Sequence, residues 1–120
     1  RDFVSVHDVV DALVIAMESK NANYQIFNIG SGNPISIKKT AKILADLMNK
    51  NIMPKITGEF RKNDIRNCYA DISKAKKLLK WQPKVLPKDG FKELIEWSNK
   101  EDSTDSFEKA EMELRSKKLL

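Results

Sequence analysis

Arg61, Lys62, Asn63 and Asp64 stand together in a polar, aperiodic stretch from Phe60 to Tyr69. A guanidinium offers a phosphate a planar fork of N–H donors, and a nearby carboxylate can position that fork or accept from a hydroxyl. Arginine and aspartate at this spacing in a loop are a candidate anion-binding pair, with a plain loop ion pair as the structural alternative. Arg1-Asp2, just ahead of Phe3-Val4-Ser5-Val6, poses the same choice. Residues 55–84 carry nine bases against three acids. Lys74, Lys76, Lys77 and Lys80 could meet nucleic-acid phosphates. No aromatic interleaving or helix-turn-helix pattern accompanies them, so a solvated helix face is the better account.

Other chemistry is thinner. Gly30-Ser31-Gly32 lies between an apolar run and a helical pattern, but Pro34 and Ile35 break the third-glycine spacing of a dinucleotide fingerprint. A tight turn, with glycine supplying positive φ, is the expected reading. His7 is the single histidine, and no serine sits in a G-x-S-x-G elbow. A nucleophilic triad is therefore not expected, and His7 reads as an exposed residue of a first helical turn. Cys68 lacks a local base and reads as a buried, inert thiol.

The elements that must carry these residues follow from periodicity. Phe3–Val6 and Tyr24–Ile29 alternate as strands, and Pro54-Lys55-Ile56 is a shorter one. Val9, Val10, Leu13, Val14 and Met17 mark the inner face of a helix from about His7 to Ser19. Ser36 caps a second helix, buried along Ile37, Thr40, Ala41, Leu44, Leu47 and Met48. Asp71 or Ser73 starts a short helix with Ala75, Leu78 and Leu79, and Trp81–Val85 is extended. Pro87 opens a helix with Phe91, Leu94, Ile95 and Trp97 facing inward. The expected fold class is α/β: a small mixed lobe of helices with two or three short strands, divided into residues 1–100 and a polar tail, helical or frayed, at 101–120.

The chain has 120 residues, 41% of them apolar and 32% charged, with a net charge of +5. No apolar run suits a membrane helix, and one cysteine excludes an internal disulfide. One cysteine and one histidine cannot build a thiolate-rich zinc site. The expected setting is cytoplasmic. The chain begins at Arg1 without methionine, so a processed product or a piece of a longer protein is expected.

Four strings carry a resemblance. Arg1-Asp2-Phe3-Val4-Ser5-Val6-His7-Asp8-Val9-Val10 is similar to R-D-F/Y-x-x-V-x-D-V/L-V/A, and Phe27-Asn28-Ile29-Gly30-Ser31-Gly32 to F-N-I-G-S-G. Arg61-Lys62-Asn63-Asp64 resembles R-x-G-D. Tyr69-Ala70-Asp71-Ile72-Ser73-Lys74-Ala75, followed by Leu78-Leu79-Lys80-Trp81-Gln82-Pro83, resembles Y-A-D-x-S-K-A…L-G-W-x-P. In this order the strings resemble the extended short-chain dehydrogenases/reductases, the NAD-dependent nucleotide-sugar epimerases and dehydratases, most of all their UDP-glucose 4-epimerase members. Asn63 and Lys80 replace glycines of the pattern, and Ser5 stands where an aromatic is common.

The resemblance implies a C-terminal substrate-binding lobe whose partner is an N-terminal Rossmann lobe. It implies that Arg1 and Arg61 grip the diphosphate of a nucleotide sugar, with Asp64 on the ribose or buttressing Arg61. Asp8 and Asp71 fall on family positions for which helix capping is an adequate explanation. NAD belongs to the parent enzyme, and none is expected on this piece. The Rossmann fingerprint is absent, and neither Tyr24 nor Tyr69 has lysine four residues later, so the chain alone is expected to be inactive. Weak binding of a nucleotide sugar and self-association through exposed apolar surface are expected. The alternatives are a stand-alone adaptor module derived from that lobe and, ranked last, a small basic nucleic-acid binder.

Overall fold

Serine and proline set the helix starts. Ser5 lies at the N-cap of the first helix and accepts from the His7 N–H at 3.2 Å. Ser36 caps the second, accepting from the Lys39 N–H at 3.1 Å. Pro87 sits in the first turn of the fourth, where a missing N–H costs nothing. The computed structural model describes residues 1–102 and 104–119. In it the helices are α1 (Val6–Glu18), α2 (Ile37–Leu47), α3 (Ser73–Leu78), α4 (Pro87–Ser98) and α5 (Phe107–Ser116), with a 3₁₀ turn at Lys20–Ala22.

The core is small. Ala12, Ile72, Ala75, Leu79 and Trp81 form one buried cluster, and Ile15, Ala16, Phe27, Ile29 and Ala70 pack at its edge. Trp81 is its one large member, 2% exposed. Its indole N–H donates to the Asp8 carbonyl at 3.2 Å. The Asp8 carboxylate, itself buried, accepts from the backbone N–H groups of Lys84 at 2.9 Å and Val85 at 3.1 Å. The extended Trp-x-Pro segment is thereby tied across the start of α1. Phe3 meets Phe91 of α4 edge-on, with ring centroids 5.4 Å apart.

The expected strands do not form, and the lobe is helical rather than α/β: among the described residues no strand is present. A strand needs a neighbour to take its N–H and C=O groups. Arg1 and Ile35 exchange one reciprocal pair of bonds, at 2.8 and 2.9 Å, and the pairing goes no further. The N–H groups of Ser31, Gly32 and Ala70 donate to the Asp2 side chain instead of to a neighbouring carbonyl. Val6 is taken into α1, and Tyr24 has φ 58°, which interrupts an extended run. Phe3–Val4, Gln25–Ile29 and residues 54–56 are therefore unpaired connectors.

Three helix faces also differ from expectation. In α2 Thr40 is buried as expected, but Ile37 and the C-cap residue Met48 are exposed. In α1 the buried side is Asp8 and Ala12, with Ile15 and Ala16 against the core. Val10, Leu13, Val14 and Met17 lie exposed, Met17 by 86%. In α4 Phe91 is buried as expected, whereas Leu94 and Trp97 are exposed. Periodicity finds an apolar stripe, but burial requires something packed on it, and within this chain Trp81 and its neighbours pack on the other side of α1.

Candidate functional site

Arg1 is half-buried and points across the chain to the loop between α2 and α3. Its Nη2 donates to Asp64 Oδ1 at 2.9 Å, and its Nη1 donates to the Ile65 carbonyl. The loop doubles back where the Asp64 N–H donates to the Arg61 carbonyl at 3.1 Å. Asn63 takes φ 65° within that turn, a conformation asparagine tolerates better than most residues. Two of the three expected site residues, Arg1 and Asp64, are thus in direct contact. Arg61 shares the turn but is exposed, and among the described residues its side chain has no hydrogen-bond or ion-pair partner. Asp64 restrains Arg1, not Arg61.

Beside Arg1 lies an open groove of about 530 Å³, lined in part by Phe27, Asn28, Gly30, Tyr69 and Asp71. Asp2 forms its floor. The Asp2 carboxylate accepts from the Ser31 N–H at 2.8 Å, the Gly32 N–H at 3.3 Å, the Ala70 N–H at 3.0 Å and the Ser31 hydroxyl. Burial pushes its pKa up, but these four donors outweigh it and hold the group below the ordinary carboxylate value. A β-carbon on Gly30 would stand 2.5 Å from Asp2 Oδ2 and 2.6 Å from the Ala70 β-carbon. Gly30 is therefore required by close approach; Gly32, at φ 69°, is the glycine that supplies the positive φ.

This arrangement tests the G-x-G turn as a cofactor cradle. The N–H groups that would hold a dinucleotide phosphate already bind the carboxylate of Asp2, and the space over Gly30 is filled. The turn does not fit a dinucleotide. Asp2 was not legible as its anchor, because its partners lie 29 to 68 positions away.

Other expected residues separate from this centre. His7 is exposed, as expected, with Nε2 2.6 Å from Glu93 Oε1. Its pKa is raised, first by that hydrogen bond and then by the charge of Glu93. Hydrogen bonding to Ser73, through its side chain and then its N–H at 2.9 Å, lowers the Asp71 pKa. The N-cap of α3 is Ile72, without a side-chain cap, and not the expected Asp71 or Ser73. Capping does not account for Asp8, which holds the Lys84–Val85 backbone. Cys68 is exposed, not buried. Of the lysine row, Lys74 lies over the Phe27 ring, 5.2 Å from its centroid. Among the described residues no group of His, Cys, Asp and Glu could hold a metal ion, and no helix is long and apolar enough to cross a membrane.

Comparison with known proteins converges on one family. The family described as GDP-mannose 4,6 dehydratase matches residues 1–95. A UDP-glucuronate 4-epimerase of Thermodesulfobacterium geofontis is 38% identical over 99 residues, covering 82% of this chain and 30% of that protein. A dTDP-L-rhamnose 4-epimerase of Burkholderia thailandensis is 36% identical over 97 residues, covering 81% and 26%. The crystal structure of a UDP-glucose 4-epimerase with UDP-glucose, from Thermotoga maritima, superposes with a TM-score of 0.76 at 36% identity, covering 83% of this chain and 31% of that one. The chain spans less than a third of the length of these relatives.

Proposed function

The chain belongs to the GDP-mannose 4,6 dehydratase family, the epimerases and dehydratases of nucleotide sugars, and from that premise we propose that it is the C-terminal, nucleotide-sugar-binding lobe of an NAD-dependent, cytoplasmic member. Residues 1–100 are the lobe and residues 101–120 a tail. Arg1 and Arg61 bind the diphosphate, and Asp64 keeps Arg1 oriented toward it.

The observation that carries this reading is the placement of Arg1. A half-buried guanidinium, fixed by Asp64 and the Ile65 carbonyl, stands at a groove and at the turn that bears the exposed Arg61. The surrounding excess of bases adds a field that favours an anionic ligand. Each guanidinium neutralises charge on the diphosphate and offers it two N–H donors. The solved relative bound to UDP-glucose supports the ligand class.

NAD supplies hydride acceptance to such enzymes when bound. The residues here do not fit it, and the sequence has no tyrosine followed four residues later by lysine to take a sugar hydroxyl proton. Cofactor binding and proton transfer therefore belong to the lobe that the longer relatives carry. The exposed stripe of α1 is a natural surface for that lobe. On its own the chain binds nucleotide weakly and does not turn it over.

A titration with UDP, followed through backbone amide shifts, tests the reading. Saturable shifts near Arg1 and residues 61–65, lost in Arg1→Ala and Arg61→Ala, are expected. Shifts unaffected by both substitutions, or tighter sequence-blind binding to a duplex oligonucleotide that salt abolishes, would overturn it.

A further inference from the structure

The loop between Leu47 and Ser73 contains no helix, and a loop of that length inside a small lobe holds its shape only where something ties it down. Arg1 ties it at Asp64 and Ile65, and Asp2 ties it at Ala70. Two further ties come from the C-terminal segment, beyond the residues matched by the family. Arg115 of α5 donates through Nη2 to Glu59 Oε1 at 2.8 Å, and the Lys62 N–H donates to the Leu119 carbonyl at 2.8 Å. These two anchors bracket Arg61, one on each side.

Arg115 is itself held in place. Glu111, one helical turn earlier, accepts from its Nε at 3.1 Å and its Nη2 at 2.8 Å. One guanidinium therefore spans from α5 to the loop with a carboxylate on either side. Arg61 has no side-chain tether among the described residues, so its position is set by its backbone, which is flanked by the Glu59 side chain held by Arg115 and by the Lys62 N–H held by the Leu119 carbonyl.

We propose that α5 is a brace for the anion-binding loop, with Arg115 as a positioning residue that acts through Glu59 on Arg61. The proposal rests on the nucleotide-sugar reading above and extends it to a segment outside the family match. Holding the turn before ligand arrives lowers the ordering cost that a diphosphate would otherwise meet. Pairing Arg115 with Glu59 also keeps that carboxylate from drawing Arg61 away from the ligand.

Glu59→Gln is the diagnostic variant, because a brace and a simple charge effect predict opposite signs. Removing a negative charge beside an anion site tightens binding if only the field matters. Loss of the brace weakens it. In the full chain, Glu59→Gln and Arg115→Ala should each weaken UDP by about two- to five-fold, the range expected of one exposed ion pair. Both should speed amide exchange at Lys62, and Arg115→Lys should restore part of the loss. On an Arg61→Ala background neither substitution should weaken UDP further, since the brace acts through Arg61.

If Arg61→Ala weakens UDP but Glu59→Gln leaves it unchanged or tighter, the brace is wrong and the binding reading stands. The brace is equally wrong if exchange at Lys62 is unaltered in both variants. If Arg61→Ala has no effect on UDP, or UDP produces no shifts, the binding reading fails and takes the brace with it.

Discussion

The indole N–H of Trp81 donates to the backbone carbonyl of Asp8 at 3.2 Å, joining positions 73 residues apart in the middle of the core. The same aspartate closes the arrangement from its side chain, accepting from the N–H groups of Lys84 and Val85. This joint fixes the start of α1, which follows directly from the Arg1–Ser5 segment, while Arg1 itself is held by Ile35, Asp64 and the Ile65 carbonyl.

Asp8→Ala leaves the part-buried backbone donors of Lys84 and Val85 without their acceptor. It should destabilise the lobe by about 2–4 kcal/mol, from an unmade-bond cost of about 1–3 kcal/mol each with partial relaxation. Asp8→Asn keeps one acceptor and should cost about half as much. Urea denaturation followed by Trp fluorescence reads both; equal stability of Asp8→Ala and the unaltered chain would show that the joint is dispensable.

Gly30→Ala introduces a β-carbon where Asp2 Oδ2 and the Ala70 β-carbon stand at 2.5 and 2.6 Å. The groove floor must shift, at a cost of about 1–3 kcal/mol. Gly90→Ala is the contrast. It lies within α4, and the nearest atom to its added carbon is Val85 Cγ1 at 3.7 Å, so it should stabilise by about 0.5–1 kcal/mol. Thermal midpoints moving in opposite directions are the expected result.

Lys80 has φ 57° just past the end of α3, where a left-handed residue ends the helix and glycine is favoured. Lys80→Gly should gain about 1 kcal/mol by removing the β-carbon from that conformation. A loss of stability on the same denaturation curve would show that the lysine stem contributes more than its backbone strain costs.

His7 and Glu93 form an exposed pair, 2.6 Å apart, that raises the histidine pKa above 6.5. A raised folded pKa means that the contribution is fully present below the ordinary histidine value and is lost as pH rises through the elevated one. An NMR titration of the His7 ring should give a value above 6.5 in the unaltered chain and a lower one in Glu93→Gln. Identical titration curves would remove Glu93 as the cause.

Val10, Leu13, Val14 and Met17 leave one face of α1 in water. Sedimentation velocity should show concentration-dependent self-association, weakened by Leu13→Lys with Met17→Lys. A monomer at all concentrations, without binding of an apolar-surface dye, would mean that this face needs no cover.

Local signals account for much of the helical framework. Ser36 and Pro87 start helices where their side-chain chemistry requires, and the turn at Gly30–Gly32 follows from its glycines. The helix at Ser73–Leu78 follows from the period of Ala75 and Leu79, although its N-cap is Ile72 and not the expected Asp71 or Ser73. Arg1, Arg61 and Asp64 stand in strings that resemble the family's motifs, and the comparisons show that family. The strands fail because alternation describes one chain segment, whereas a strand exists only with a partner. The inward faces of α1 and α4 fail for the same reason.

The sequence alone determined the family and the helix starts at Ser36 and Pro87, and marked Arg1, Arg61 and Asp64 as candidates for an anion, because each is read from neighbours within a few positions. Only the tertiary structure decided that Asp2 fills the glycine turn, that Asp8 locks the Trp81 segment, and that Asp64 restrains Arg1 and not Arg61. Those pairings join groups tens of residues apart. They are chosen by which buried N–H groups and guanidinium donors lack an acceptor once the chain has packed, a condition that no local spacing records.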